Sequence, residues 1–240
     1  MKSVCLTSLS LALALCTWLP GVASAEMIYQ ANFNSGSLDN TKWTTYSSVT
    51  GVNGGYLAIY DSDPAHGKSL FMDSKTLPGT ANYNHATLAV NVSGYSQMSL
   101  VFDSFTFYDF NDVLGTAPFT GTKNGDGIAI STDNNNWLPI WSPASGAASM
   151  GWTPGTTVLV SDALTSNGIA DGSVSTLYIR FQQYDTYQDN GQLSSDGRAW
   201  DNIALSGTSA GAAVPEPTTG VLAGLGLLSL CGVRVSRRRR

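Results

Sequence analysis

Along most of this chain apolar residues recur at every second position rather than at the three-to-four spacing of a helix, which predicts strands. Ten segments carry the pattern: Met27 to Phe33, Gly55 to Tyr60, Ser69 to Met72, Ala86 to Val92, Gln97 to Phe107, Gly127 to Ser131, Trp137 to Trp141, Thr156 to Ser161, Ser175 to Tyr184 and Ala199 to Leu205. Turn formers separate them: Gly54-Gly55, Pro78-Gly79, Asn124-Gly125-Asp126-Gly127 and Pro154-Gly155. Leu177, Ile179 and Phe181 alternate with Tyr178, Arg180 and Gln182, so one of these two faces is core. Leu100, Phe102, Phe105 and Phe107 cannot share one face of a regular strand, and a bulge near Asp103-Ser104 would reconcile them. No segment reads as a convincing helix, and no internal repeat is visible. About ten short strands imply an all-β, antiparallel sandwich or barrel.

The alternation stops at both ends. Lys2, the apolar run from Leu9 to Leu15 and the small residues Ala23-Ser24-Ala25 read as a secretory signal peptide over residues 1–25, cut before Glu26. At the other end a small-residue linker, 208–213, leads to Val214, Pro215, Glu216 and Pro217. An apolar stretch follows from about 218 to 233, predicting a helix in the inner membrane. Its sixteen residues reach about 24 Å, short of a ~30 Å hydrocarbon core, a gap that local thinning and snorkelling arginines can cover. Arg234, Arg237, Arg238, Arg239 and Arg240 would keep the terminus cytoplasmic. Residues 26–207 remain as one β-sandwich domain.

In this order, Val-Pro-Glu-Pro, apolar helix and arginine cluster resemble the PEP-CTERM sorting signal of Gram-negative bacteria. The resemblance implies processing by an exosortase, an integral-membrane cysteine protease that recognises the Pro-Glu-Pro element. It implies export, anchoring that is at least transient, and a destination at the cell surface or in an exopolysaccharide biofilm matrix. An ordinary membrane anchor behind a Pro-rich linker is the alternative. The body resembles the jelly-roll sandwiches of the MAM, reelin-repeat and concanavalin-like lectin group. Asn32-Phe33-Asn34, Trp43, the stretch from Gly55 to Asp61, that from Asp126 to Ser131, Leu177 to Phe181 and Asp196 to Ile203 carry the likeness. Ser131-Thr132-Asp133 before Trp137 resembles a shortened Asp-box hairpin.

Composition narrows the function. Only 12% of the 240 residues are charged and 10% are aromatic, which excludes a charge-rich disordered chain. Residues 26–217 hold 6 basic and 17 acidic residues, a net charge of −11 that speaks against nucleic acid as a partner. Cys5 and Cys16 lie in the signal peptide and Cys231 in the tail, so the body has no disulfide, no Cys nucleophile and no Cys-bound zinc. His66 and His85 lack the spacing of helical zinc motifs, and Gly-x-Ser-x-Gly is absent. No catalytic constellation stands out. A jelly-roll polysaccharide hydrolase or lyase, which needs two opposed carboxyls, is kept as an alternative.

The acids are 15 Asp and 2 Glu, and both Glu (Glu26 and Glu216) lie at the margins of the fold. Asp forms turns through its own backbone, and it also ligates calcium. In the related jelly rolls a cation sits where the first strand, an early loop and the last strand converge. The matching residues are Asn34, Asp61, Asp63 and Asp201, so the resemblance implies one structural Ca²⁺. Asn34 stands where an acid is common, which would weaken the site; metal-free turns are the other reading. Asp133-Asn134-Asn135-Asn136 lacks the Gly and Glu of a calcium loop and is read as a hairpin loop, with Asp126-Gly127 as a turn. Most tryptophans should be core. The polar, aromatic stretch from Tyr184 to Asn190 follows a strand, and Tyr184 and Tyr187, with Trp137 or Trp141, are expected to contact a polysaccharide. The body thus reads as a non-catalytic carbohydrate-binding or structural module, with an exosortase and a matrix glycan as partners. A protein-binding adhesin of the biofilm matrix is the first alternative.

Overall fold

A computed structural model describes residues 24–49, 55–63, 66–74, 81–107, 110–147, 150–186 and 197–209. All but Ser24 belong to one unit, Ala25–Ala210. Residues 1–23 of the expected signal peptide, Tyr187, the sorting motif Val214 to Pro217, the apolar segment 218–233 and the tail arginines lie outside the described residues. Among the described residues no helix is long and apolar enough to cross a membrane.

The period-two segments pair into two antiparallel sheets. The first holds β1 (Ala25–Ala31), β3 (Gly55–Asp63), β4 (Gly67–Ser74), β6 (Tyr95–Thr106), β12 (Gly151–Leu159) and β14 (Arg198–Ser209). Its order is β12-β6-β14-β4-β3, with β1 also on β14. β4 pairs with β14 over Arg198 to Trp200, and β1 takes the same edge from Ile203 onward. The second sheet holds β2 (Trp43–Ser47), β5 (Ala81–Asn91), β8 (Phe119–Thr120), β9 (Gly127–Ser131), β10 (Asn136–Trp141) and β13 (Thr176–Thr186), in the order β2-β5-β13-β9-β10-β8. β7 (Phe110–Asn111) and β11 (Gly146–Ala147) form a small ribbon. This is an antiparallel β-sandwich, one of the two forms that the alternation implies, and it is the jelly roll that the resemblance implies. β14 runs to Ser209, so the first two residues of the expected linker are strand.

The inward faces make the core. Leu100, Phe102 and Trp200 of the first sheet meet Leu88, Ile179 and Phe181 of the second, all fully buried. Phe181 is the hub, with ring centroids 5.8 Å from both Trp43 and Trp200. Each such side chain contributes roughly 1.5–3 kcal/mol through burial. Behind this layer a buried ion pair ties the sheets together: Arg198 Nε lies 2.9 Å from Asp126 Oδ2. Asp126 is therefore not merely a turn former. Its Oδ1 accepts the Tyr184 N–H at 2.9 Å, and its carbonyl accepts the Ser142 hydroxyl at 2.8 Å.

Two expectations change. β6 itself has no bulge at Asp103-Ser104; Phe105 points outward and joins Phe71 and Ala199, with Tyr56, Phe107 and Trp152 packed against them, in a second apolar cluster. The extra residues sit on the two neighbours of β6. The β12 register shifts between Thr153 and Thr156, and the β14 register between Asp201 and Ala204. Asp103 holds both bulges, because its Oδ1 accepts the Gly155 N–H at 2.7 Å and its Oδ2 accepts from Asn202 Nδ2 at 2.8 Å. The strand expected over Thr156 to Ser161 ends at Leu159, and a helix α1 (Val160–Ser166) follows. Val160 and Leu164, four apart, bury one helical face, and Gly168 at φ 76° stops the turn by donating to Thr165. Seven residues were too few to show a helical period. The hairpin between β9 and β10 forms as expected: Asp133 accepts from Asn135 N–H, Asn136 N–H, the Ser131 hydroxyl and Asn136 Nδ2, which holds its carboxyl well below the usual range.

Candidate functional site

β5 and β13 pair along their whole length, so their outward side chains form a grid. β5 supplies Tyr83, His85 and Thr87; β13 supplies Tyr178, Arg180, Gln182 and Tyr184. Thr87 stands opposite Arg180 and His85 opposite Gln182. β2 adds Tyr46 beside His85.

One half of this grid is roofed by chain around residues 119–125. Arg180 Nη1 donates to the Gly121 carbonyl at 2.7 Å, and Gln182 Nε2 donates to the Lys123 and Gly125 carbonyls at 2.9 and 2.6 Å. Below the roof the Arg180 guanidinium lies 3.7 Å from the centre of the Trp137 ring, a cation–π contact. Arg180 Nη1 also donates to Tyr83 Oη at 3.4 Å, and that hydroxyl donates to Gln182 Oε1 at 3.2 Å. Burial pushes the Tyr83 hydroxyl up to about 12.

The other half carries an exposed ring. Tyr46 is 47% exposed and stacks on His85, with centroids 5.1 Å apart and planes at 22°. Burial, helped by the Arg180 charge, pushes His85 down to about 3, so its imidazole is neutral at ordinary pH. Along the floor beside this ring three buried polar atoms have no hydrogen-bond partner: Thr87 Oγ1, His85 Nδ1 and Arg180 Nε. An unsatisfied buried polar group costs about 1–3 kcal/mol, and these three lie closed to solvent beneath the outward face. The flat, exposed Tyr46 ring suits stacking against a pyranose.

Of the expected contact residues, Tyr184 shares this outward face, whereas Trp137 and Trp141 pack inside the protein. Trp137 is 0% exposed and Arg180 covers its ring, so no sugar can stack on it. Trp141 packs against the core, edge-on to Phe102 at 5.2 Å. Tyr184 is half-buried on the outward face of β13, in register with Tyr83. Sequence reasoning missed Tyr46, His85 and Thr87. Their signal was the alternation of Tyr83, His85 and Thr87 with Asn84 and Ala86, which puts polar residues on one side of an otherwise apolar strand.

Of the residues expected around calcium, Asp61 and Asp201 stand on opposite faces of their sheet. Asn34 lies against the β3–β4 hairpin, where a Cβ added at Gly67 would sit 2.9 Å from Asn34 Oδ1. Asp61 pairs with Lys68, and Asp63 pairs with Gly67. Lys68 Nζ reaches the same turn, 2.8 Å from a Cβ built at Gly36. Trp200 points into the core, so alternation turns Asp201 to the opposite, outward face of its sheet, whereas Asp61 follows inward Ile59. Among the described residues no three His, Cys, Asp or Glu side chains gather as a metal site.

Asp201 and Asp103 do face one another across β14 and β6. This is not the open carboxyl pair of a glycosidase. Both Asp103 oxygens hold the bulges, and Asp201 is 2% exposed, near a His66 ring that stacks on Trp152 at 4.4 Å. A separate hollow of about 280 Å³ lies where β1 meets β14; Gln30, Ala31, Asn32, Asn202, Ile203 and Ala204 line it, and it offers no aromatic ring.

Comparison with known proteins adds the C-terminus. Residues 213–240 match the PEP-CTERM protein-sorting motif. No curated protein is similar to this chain in sequence. Among solved structures, TmCBM61 in complex with β-1,4-galactotriose aligns at a TM-score of 0.46 and 7% identity, covering 75% of this chain and 97% of that one. The family 11 carbohydrate-binding module of the cellulosomal cellulase Lic26A-Cel5E of Clostridium thermocellum aligns at 0.41 and 16%, covering 78% and 97%. The enzymatically active domain of tailspike protein 4 of bacteriophage CBA120 aligns at 0.40 and 11%, covering 73% of this chain and 20% of that one.

Proposed function

We propose that this chain is an exported protein of a Gram-negative envelope or matrix whose β-sandwich binds carbohydrate without acting on it. The observation that carries the reading is the outward face of β5 and β13. There an exposed tyrosine ring, Tyr46, stacks on His85 on a face that also carries Tyr83, Gln182 and Tyr184. The motif at 213–240 supports sorting by an exosortase, with anchoring through the apolar segment before processing. Binding of the full chain to an array of bacterial polysaccharides tests the first part. Tyr46→Ala should abolish retention and leave the melting temperature unchanged, because an exposed ring contributes little to folding. Retention of no glycan would overturn the reading. Mass spectrometry of the exported form tests the second part, and an intact Arg240 there would count against processing.

A further inference from the structure

We infer that the hollow between β1 and β14 is a second ligand site, which takes a single uncharged sugar residue through side-chain amides. It belongs to the first sheet, not to the sheet that carries Tyr46, and it does not depend on the reading of that face. Its origin is a gap in the sheet. β4 pairs with β14 as far as Trp200, and β1 takes up the same edge at Ile203, so Asp201 and Asn202 have no partner strand there. The second bulge held by Asp103 falls at the same place. Asn202 has φ 49°, and Phe33, next to Asn32 on the opposite wall, also has φ 49°. A left-handed backbone is uncommon for asparagine and an outlier for a bulky phenylalanine, and such strain gathers at ligand sites. Four non-glycine residues have positive φ among the described ones, and two of them flank this one hollow.

Three exposed amides, Gln30, Asn32 and Asn202, line the hollow. Asn202 Nδ2 donates to Asp103 Oδ2 at 2.8 Å, which tethers the side chain and leaves Oδ1 and one N–H to spare. Asn32 Oδ1 accepts the Asn34 N–H at 3.3 Å, and both Nδ2 hydrogens remain. The Gln30 amide bonds no other described side chain. Donors and acceptors therefore stand side by side and open to solvent, as a sugar hydroxyl requires, because it both donates and accepts. Ala31, Ile203 and Ala204 supply an apolar patch for the C–H face of a pyranose. No charged side chain lines the hollow, and the acid that holds Asn202 works against an anion. No ring lines it, so a planar base has nothing to stack on. At about 280 Å³ it lies at the lower end for small-molecule sites, which suits one residue rather than a length of chain.

The test is saturation-transfer NMR on the full chain carrying Tyr46→Ala, so that the hollow is read apart from the other face. Galactose, mannose, glucose and galacturonate are the probes, at the millimolar concentrations that one sugar-sized ligand needs. At least one neutral sugar should receive saturation, and galacturonate should receive less. Contact this weak does not retain a polymer on an array, so loss of array retention in Tyr46→Ala is compatible with it. Adding Ala204→Phe, which fills the hollow, should abolish the signal. Adding Gln30→Ala at its exposed position should weaken binding about two- to ten-fold, the worth of one neutral hydrogen bond. No signal from any neutral sugar in Tyr46→Ala would overturn the second site and leave the Tyr46 face untouched. A galacturonate signal equal to the neutral ones would overturn the uncharged ligand. A signal unchanged by Gln30→Ala would overturn the site even where Ala204→Phe fails to fold.

Discussion

Replacing Asp201 with Asn is expected to stabilise the protein at neutral pH. Asp201 is 2% exposed, and its Oδ1 is buried without a hydrogen bond. Burial pushes the carboxyl up to about 6; the Asn202 N–H opposes the rise, Asp103 adds to it, and His66 again opposes it. In the unfolded chain the same group titrates near 3.8. Between about pH 4 and pH 6 the folded state therefore keeps a proton that the unfolded state has released. The stabilisation is complete below about pH 4 and is lost as the pH rises through about 6. Two pH units at ~1.4 kcal/mol each set about 3 kcal/mol as the most that ionised Asp201 costs at neutral pH. Asparagine keeps the shape and removes the charge. Chemical-denaturation curves of wild type and Asp201→Asn should nearly coincide at about pH 4 and separate at about pH 7, with the variant more stable. Parallel pH profiles would refute the reasoning, as would a variant less stable at neutral pH. The sign also bears on calcium. If Asp201 were a ligand, the variant would lose stability, and would lose it only when calcium is present.

Two further substitutions probe the sandwich. Asp126→Ala removes the carboxylate beside Arg198 and the acceptor of the Tyr184 N–H; breaking a buried pair from one side costs about 3–5 kcal/mol. For a domain of this size that lowers the melting temperature by roughly 6–20 °C, and a shift below about 2 °C would show that the pair is dispensable. Gly55→Ala should destabilise by about 1–3 kcal/mol in a denaturant titration, because its Cβ would collide with Asn84 Oδ1, Asn82 Nδ2 and Ser47 Oγ; a neutral effect would mean that this end of the sandwich can open.

The legible part of the fold was whatever a single strand states about itself. Leu177, Ile179 and Phe181 alternate in sequence, and the structure buries all three. The bulge shows where that stops. Leu100 and Phe102 against Phe105 and Phe107 signalled a conflict near Asp103, and the irregularity does lie there. A strand's own pattern cannot say whether it or its neighbours carry the extra residue, because register belongs to the pair. Here β6 stays regular through Asp103, and its outward Phe105 gains partners from Phe71 and Trp152 on other strands. The helix was missed for a related reason: Val160 and Leu164 look like a strand's tail until Asn167-Gly168 is read as a stop.

The candidate site failed to show in the sequence because it was sought through rings. Large aromatics in a sandwich are chiefly core payload, and Trp137 and Trp141 prove to be packing residues. The first sheet makes the same point on its outer face, where Phe71 and Phe105 fill each other's surroundings and are nearly closed to solvent. What distinguishes the second sheet is its polar atoms. Arg180 reads in sequence as an ordinary solvated residue alternating with Ile179 and Phe181, yet the chain at 119–125 buries it. That burial is long-range and follows from no local pattern. It turns a surface charge into a desolvated one, with the buried polar atoms of Thr87 and His85 on the neighbouring strand. Arg180 thus owes its burial to chain 59 residues before it, a separation over which no strand pattern reports.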